Sequence, residues 1–204
     1  MKKDRYKVYC AGPLFNPHER EEMGEIAKVL QEAGFDVFLP HRDGMLFSEV
    51  YQQFLEGGHD PEASKRMIFE AIFALDVYEV LSGCDALVFN MNGRVPDEGA
   101  VSEAAMAWAM GKPVILYKSD VRSMIMGNDN PLVAGLSHFL YAKTVTDMID
   151  QLRNRLKEGA QPLPAPLPLP VENALERGKS VAEAGRGGLP QLVETIRDLF
   201  GPSS

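Results

Sequence analysis

Short, mainly apolar runs alternate along this chain with stretches in which apolar residues recur every third or fourth position. The runs at 6–11, 35–39, 86–90, 113–117 and 139–141 predict five strands. A strand as continuously apolar as Ala86-Leu-Val-Phe-Asn90 needs cover on both faces, as in a parallel sheet. Helical spacing of Met23, Ile26, Ala27, Leu30 and Ala33 predicts a helix over 18–33, with Gly34 as its C′ residue. A second helix, capped by Ser64, carries Met67, Ile68, Ala71, Ile72 and Leu75, and a third covers 100–110, closed by Gly111. A closing helix covers 145–156. Residues 40–63 read as a long loop, and 118–137 as a polar loop ending in a helical turn. This alternation predicts an α/β fold: a flavodoxin- or Rossmann-like parallel five-stranded sheet with helices on both faces and right-handed crossovers. Ligands of such sheets bind beyond the carboxyl ends of the strands, where strand order reverses. That rule selects residues 12–16, 90–103 and 118–130.

Past Gly159 the pattern changes. Residues 161–170 form a Pro-rich spacer, and two helical stretches follow, near 171–184 and 190–200, separated by the Gly-rich 185–188. The expected division is therefore a catalytic domain over 1–159 and a spacer with a helical tail over 160–204. A hydrophobic fraction of 45% and a charged fraction of 25% are those of an ordinary globular protein. The net charge of −8 argues against a nucleic-acid polymer as partner, because a polyanion needs clustered Lys and Arg. A small, weakly charged ligand fits better. Cys10 and Cys84 form no CxxC or Cys/His cluster, so two buried thiols and no metal are expected. The charged start MKKDRYK lacks a following apolar segment of a secretion signal, and no apolar run approaches the roughly 20 residues of a membrane span. The expectation is a cytoplasmic protein without membrane contact.

The richest chemistry lies in Asn92-Gly-Arg-Val-Pro-Asp-Glu-Gly-Ala-Val-Ser-Glu103. Three carboxylates, Asp97, Glu98 and Glu103, fall there at the expected ligand edge. Asp97 or Glu98 sits at a helix N-terminus, where negative charge is favoured; a plain helix cap explains Asp97 equally well. Glu103 lies one to two turns further, beside the small Ala104, Ala105 and Ala107; by itself it also reads as an ordinary exposed helix glutamate. Glu98 reads as solvated. The aromatics Phe47, Tyr51 and Phe54 in the 40–63 segment make it a candidate lid, or pack in a core or subunit contact. Phe15 either stacks on a ligand or fills the core. His18, His41, Arg42 and Arg94 read as surface, loop or helix-start residues.

Several of these segments together resemble the nucleoside 2-deoxyribosyltransferase family. Val8-Tyr-Cys-Ala-Gly-Pro-Leu-Phe15 resembles its opening strand and loop, and Cys84-Asp-Ala-Leu-Val-Phe-Asn90 its central strand. Asp97-Glu-Gly-Ala-Val-Ser-Glu103, followed by Gly111-Lys-Pro-Val114, resembles its Asp-x-Gly-x-x-x-Glu motif and next strand. The resemblance covers about residues 6–150. It implies that Glu103 is the nucleophile, that Asp97 works near the base and the sugar, and that Tyr9 holds the nucleophile in place. It implies ligand contacts from Asp76 and from the Gly12, Phe15 and Gly99 positions. It further implies that Asn128 or Asn130 reaches the site of a neighbouring subunit, so a homo-oligomer with sites near its interfaces is expected. The implied substrates are a deoxynucleoside and a free nucleobase, with no cofactor.

The chemistry fits these residue types. Cleavage of an N-glycosidic bond develops oxocarbenium character at the sugar, which a carboxylate can capture covalently. The leaving base needs a proton, which a second carboxylate can supply. Two displacements retain configuration, as in retaining glycosidases. The nearest alternative is a hydrolase of nucleosides or their 5′-monophosphates, although 12–16 lacks the Ser and Arg groups that hold phosphate in such relatives. A phosphoribohydrolase signature is echoed at Pro96–Glu103 without its glycine pair and threonine. From another class comes a non-catalytic nucleoside-binding module. A dinucleotide oxidoreductase is disfavoured, since no G-x-G-x-x-G follows the first strand.

Overall fold

A computed structural model describes residues 5–93, 95–120, 128–158 and 163–202. In chain order the elements are β1 (Lys7–Ala11), α1 (Pro17–Glu32), β2 (Asp36–Phe38), α2 (Pro40–Asp43), α3 (Phe47–Glu56) and α4 (Pro61–Tyr78). There follow β3 (Ala86–Asn90), α5 (Glu98–Ala109), β4 (Val114–Tyr117), α6 (Pro131–Ala134), β5 (Tyr141–Ala142), α7 (Val145–Lys157), α8 (Leu169–Arg186) and α9 (Leu189–Phe200). The chain divides into two compact units. Residues 1–39 and 80–165 make the first; residues 40–79 and 166–204 make the second.

The first unit is a five-stranded sheet in the order β2-β1-β3-β4-β5, with every pair parallel. The order reverses between β1 and β3, where Tyr9 stands beside Leu87 and Ala11 beside Phe89. This is the flavodoxin-like arrangement, whose reversal point opens a crevice at the strand carboxyl ends. Alternation along β1 sorts its side chains between the two faces. Val8 and Cys10 join Ile26, Leu30, Val88, Ile115, Met148 and Leu152 in a buried cluster under α1 and α7. Tyr9 faces the opposite side, where α5 packs on β1, β3 and β4 through the buried Ala100, Ala104 and Ala107. Alanines at one-turn spacing let that helix approach the sheet closely.

Local signals set the helix ends. Asn16 caps α1 in a reciprocal box: its Oδ1 accepts from Glu19 N at 3.0 Å, and Glu19 Oε2 accepts from Asn16 N at 3.2 Å. Gly34 follows α1 at φ +93°, the left-handed C′ position expected of it. The final strand is shorter than the 139–141 run predicts. His138 and Phe139 adopt φ of 57° and 62°, and Phe139 N closes the preceding turn on Ala134 O at 2.8 Å. Pairing therefore starts only at Tyr141.

The second unit is helical, and it departs from the sequence pattern at several points. Residues 40–63 are not a long loop. Phe47, Val50, Tyr51 and Phe54 recur at helical spacing, form the stripe of α3, and pack with Ile68, Ala71, Val181 and Ile196. Phe54 is fully buried and Phe47 stacks on Tyr51 with ring centroids 5.5 Å apart, so these aromatics are core and not the side chains of a loose lid. The cap of α4 is Asp60, whose Oδ1 accepts from Ala63 N at 2.8 Å; Ser64 lies inside the helix and donates back to Asp60 O. The tail belongs to this unit. Where the sequence pattern draws one boundary at 159, packing groups 166–204 with 40–79. α8 lies so close to α4 that a Cβ on Gly178 would fall 1.9 Å from Ala74 O, so only glycine fits at that crossing. Among the described residues, no helix is long and apolar enough to cross a membrane.

Candidate active site

The carboxyl ends of β1, β3 and β4 gather most of the candidate residues. Tyr9 is fully buried, and its ring stacks on Phe38 with centroids 5.4 Å apart. Its hydroxyl emerges toward α5 and donates to Glu103 Oε1 at 2.8 Å. A ring locked by packing cannot swing away, so this bond fixes the rotation of the half-buried Glu103 carboxylate. A donor on a carboxylate held by a rigid sheet is the preorganised arrangement that a nucleophile requires.

Asp97 stands at the N-cap of α5, six residues before Glu103, where its Oδ1 accepts from Ala100 N at 2.7 Å. The cap and any chemical role therefore coexist in one side chain. Gly99 lies beneath it: a Cβ there would stand 3.2 Å from Asp97 Oδ1. Glu98 is exposed. Gly12, directly after β1, is closely backed: a Cβ would meet Met23 Sδ at 2.5 Å and Asn90 Cβ at 3.1 Å. Its missing side chain lets β1 turn away over the end of β3. Phe15 does not fill the core; 76% of it is exposed on the loop that enters α1. On that loop the amides of Phe15 and Asn16 both donate to Glu19 Oε2, at 2.8 and 3.2 Å.

Asn128 and Asn130 are both exposed on the segment after β4. Asn130 caps α6 through Leu132 N at 2.9 Å. Between them, Asp129 anchors the segment: its Oδ1 accepts from Lys118 Nζ at 2.5 Å, with both side chains largely buried. Burial pushes the Tyr141 phenol up to about 12, and its hydrogen bond to the Asp129 carboxylate and that group's charge push the same way. Asp76 lies on α4 in the second unit, half-buried. Arg94 lies outside the described residues.

Two contributors carry no weight in the sequence pattern. Asn90, at the end of β3, is fully buried and its Oδ1 accepts from Asn92 N at 3.0 Å. Lys118, just past β4, is only 5% exposed. In each case the available signal is a polar residue ending a wholly apolar strand, a position that sheet topology turns toward a ligand edge.

A parallel α/β protein with a tyrosine-held glutamate at its reversal point is the class of molecule that these observations define. The model of the family described as nucleoside 2-deoxyribosyltransferase matches residues 8–136. That span holds β2, β3, β4 and all of β1 but Lys7, together with Tyr9, Asp97 and Glu103, and the chain belongs to this family. No curated protein matches it. Among solved structures, a conserved protein from Enterococcus faecalis V583 is similar at 22% identity and a TM-score of 0.54, covering 74% of this chain and 99% of that one. A 2-deoxyribosyltransferase from the psychrotolerant bacterium Bacillus psychrosaccharolyticus is similar at 21% identity and a TM-score of 0.47, covering 71% and 90%. The likeness to the first of these is one of fold.

The double occupation of Asp97 is separable by substitution. Asp97→Asn keeps an acceptor at the cap and leaves stability within a few tenths of a kcal/mol, whereas Asp97→Ala costs about 1 kcal/mol in urea unfolding. Equal stability of the alanine variant and the parent would contradict the cap.

Proposed function

We propose that this protein transfers 2-deoxyribose between nucleobases of deoxynucleosides through a covalent deoxyribosyl-Glu103 intermediate. The observation that carries the reading is the 2.8 Å hydrogen bond from the buried Tyr9 to Glu103 at the reversal point of the sheet. A Glu103 oxygen attacks C1′ as the N-glycosidic bond breaks, and the bonding pair leaves with the base. Asp97 supplies the proton that the departing nitrogen needs, through the carboxyl group that also caps α5. In the second half, a nitrogen of the incoming base attacks C1′, the bond to Glu103 breaks, and the proton lost by that base returns to Asp97. The enzyme is restored, and two inversions retain the anomeric configuration. Asp76, Gly12, Phe15 and Gly99 are assigned to substrate contact, and no cofactor enters the steps.

Free nucleosides are favoured over 5′-monophosphates. The amide groups where the first loop enters α1 would otherwise suit a phosphate, but Glu19 already accepts from those of Phe15 and Asn16. A second anion there meets a carboxylate. The test is product analysis with purified protein, deoxyinosine and adenine. The reading expects deoxyadenosine and hypoxanthine, loss of both with Glu103→Ala, and a kcat about 10- to 100-fold lower with Tyr9→Phe, the range for losing a hydrogen bond to a charged group. Hypoxanthine without deoxyadenosine would instead establish a hydrolase. Absence of any product from deoxynucleosides or their monophosphates would leave a binding module.

We also propose that the protein works as a homo-oligomer, with Asn128 or Asn130 serving a neighbouring subunit's site and a second copy covering one face of the helical unit. Phe69 and Phe73, one turn apart on α4, are 61% and 62% exposed beside a groove of about 370 Å³ lined by Ala74, Pro170, Ala174 and Phe200. Glu70 and Arg177 border the same groove. A two-fold axis through the groove would bury the same apolar face on both copies, the self-complementarity that a closed dimer needs. Sedimentation should show a dimer or larger for the parent and a smaller species for Phe69→Glu/Phe73→Glu. A monomeric parent would contradict the proposal.

A further inference from the structure

The side chain of Asn92 reaches both α1 and the segment that follows β4. Its Oδ1 accepts from Ser119 N at 2.9 Å and from Asp120 N at 3.2 Å. Its Nδ2 donates to Glu22 Oε1 at 2.6 Å and to Ser119 Oγ at 2.9 Å. Two lone pairs and two hydrogens are the full capacity of a carboxamide, and all four are used. The orientation is unambiguous, because the oxygen meets two backbone N–H donors and the nitrogen meets a carboxylate and a hydroxyl. The partners come from separate parts of the fold. Glu22 lies on α1, which follows the first loop, whereas Ser119 and Asp120 open the segment after β4 that carries Asn128 and Asn130. Asn92 itself opens the loop that leads to Asp97, and it is tied back to the buried Asn90 through its own N–H at 3.0 Å. A parallel strap reinforces it: Gly93 N donates to Asp120 Oδ2 at 2.9 Å, from a backbone at φ +123° that disfavours any side chain.

We propose that Asn92 is a positioning residue that fixes the spacing of its own loop, the segment after β4 and α1 at the substrate-binding edge, and so sets substrate affinity without touching the reacting atoms. No other residue type reproduces its pattern. Aspartate keeps the acceptor for the two amides but loses both donors, and it sets a carboxylate against Glu22 and near Asp120. Glutamine carries the same groups one methylene too far out. The Tyr9–Glu103 pair is held independently, by the stack on Phe38 and by the packing of α5 on the sheet. Disturbing Asn92 therefore shifts the walls of the site while the nucleophile stays in place. The kinetic consequence rests on the transferase reading; the structural one does not.

The experiment compares the parent with Asn92→Asp, Asn92→Ala, Glu22→Gln and the Glu22→Gln/Asn92→Asp double variant, by base-exchange kinetics and by hydrogen exchange of backbone amides. Asn92→Asp should raise KM for the deoxynucleoside about tenfold while changing kcat far less. Glu22→Gln alone should change little, since its amide oxygen still accepts from Asn92. In the double variant the introduced amide donates to the introduced carboxylate, and most of the lost affinity returns. Such a coupling of about tenfold arises between residues in direct contact and not from general loosening of the fold. The amides of Ser119 and Asp120 should lose protection in Asn92→Ala while those of β1 and β3 keep theirs. An unchanged KM in Asn92→Asp, or a double variant no better than the single one, would overturn the proposal. If the parent exchanges no base at all, the transferase reading fails, and hydrogen exchange alone decides: unaltered protection of Ser119 and Asp120 in Asn92→Ala overturns the positioning role.

Discussion

The hydrogen bond from Tyr9 to Glu103 ties β1, an interior strand of the sheet, to the helix α5, and much of the first unit serves to keep it short. Tyr9 is held by its stack on Phe38 and by its place between β2 and β3. Glu103 is held because Ala100, Ala104 and Ala107 seat α5 close against the sheet. A larger residue at any of the three would lift the helix and lengthen the bond, and a polar cost would follow, since a buried phenol left without a partner is expensive. Packing and chemistry are thus one constraint: the alanine stripe beside the glutamate is what lets a tyrosine in the sheet reach it.

The loops complete what the sheet begins. Three segments converge at the reversal point, and each is fixed by polar side chains and not by an apolar core. Glu19 and Asn16 close the first, Asn90 and Asn92 the second, and Lys118 with Asp129 the third. Such networks demand that every member be satisfied, and they specify one geometry when they are. The Lys118–Asp129 pair illustrates the point. Its charges are largely withdrawn from water, and burial, together with the nearby Asp129 carboxylate, pushes the Tyr141 phenol up to about 12. In linkage terms this phenol contributes stability below its ordinary value near 10, and that contribution is lost as pH rises toward 12.

Much of this was legible in the residues. The apolar run at 86–90 reads as a parallel strand covered on both faces, and the 3.6-residue spacing of Met23, Ile26 and Leu30 reads as one buried helix face. The ligand edge followed from topology, and the tie between Tyr9 and Glu103 follows the family resemblance. What was not legible has physical reasons. The α3 stripe of Phe47, Val50, Tyr51 and Phe54 is only ten residues long and follows a short helical turn, so its period is hard to see against a background of polar and glycine positions. The tail gives no hint of its partner, because Gly178 shows its purpose only when α4 is seen lying against it. Asn92 was hidden for a different reason: asparagine after a strand is an ordinary turn residue, and its four hydrogen bonds join segments 70 and 27 positions away in the chain.

The proposed reaction passes through a covalent sugar on Glu103. Mass spectrometry of the protein mixed with a deoxynucleoside and quenched in acid, with no acceptor base added, reads this directly. The expected result is a deoxyribosyl adduct on the peptide containing Glu103, which disappears when a free base is supplied. Release of base with that peptide unmodified at every quench time, including the earliest, would contradict it and assign Glu103 to substrate binding or to the activation of water.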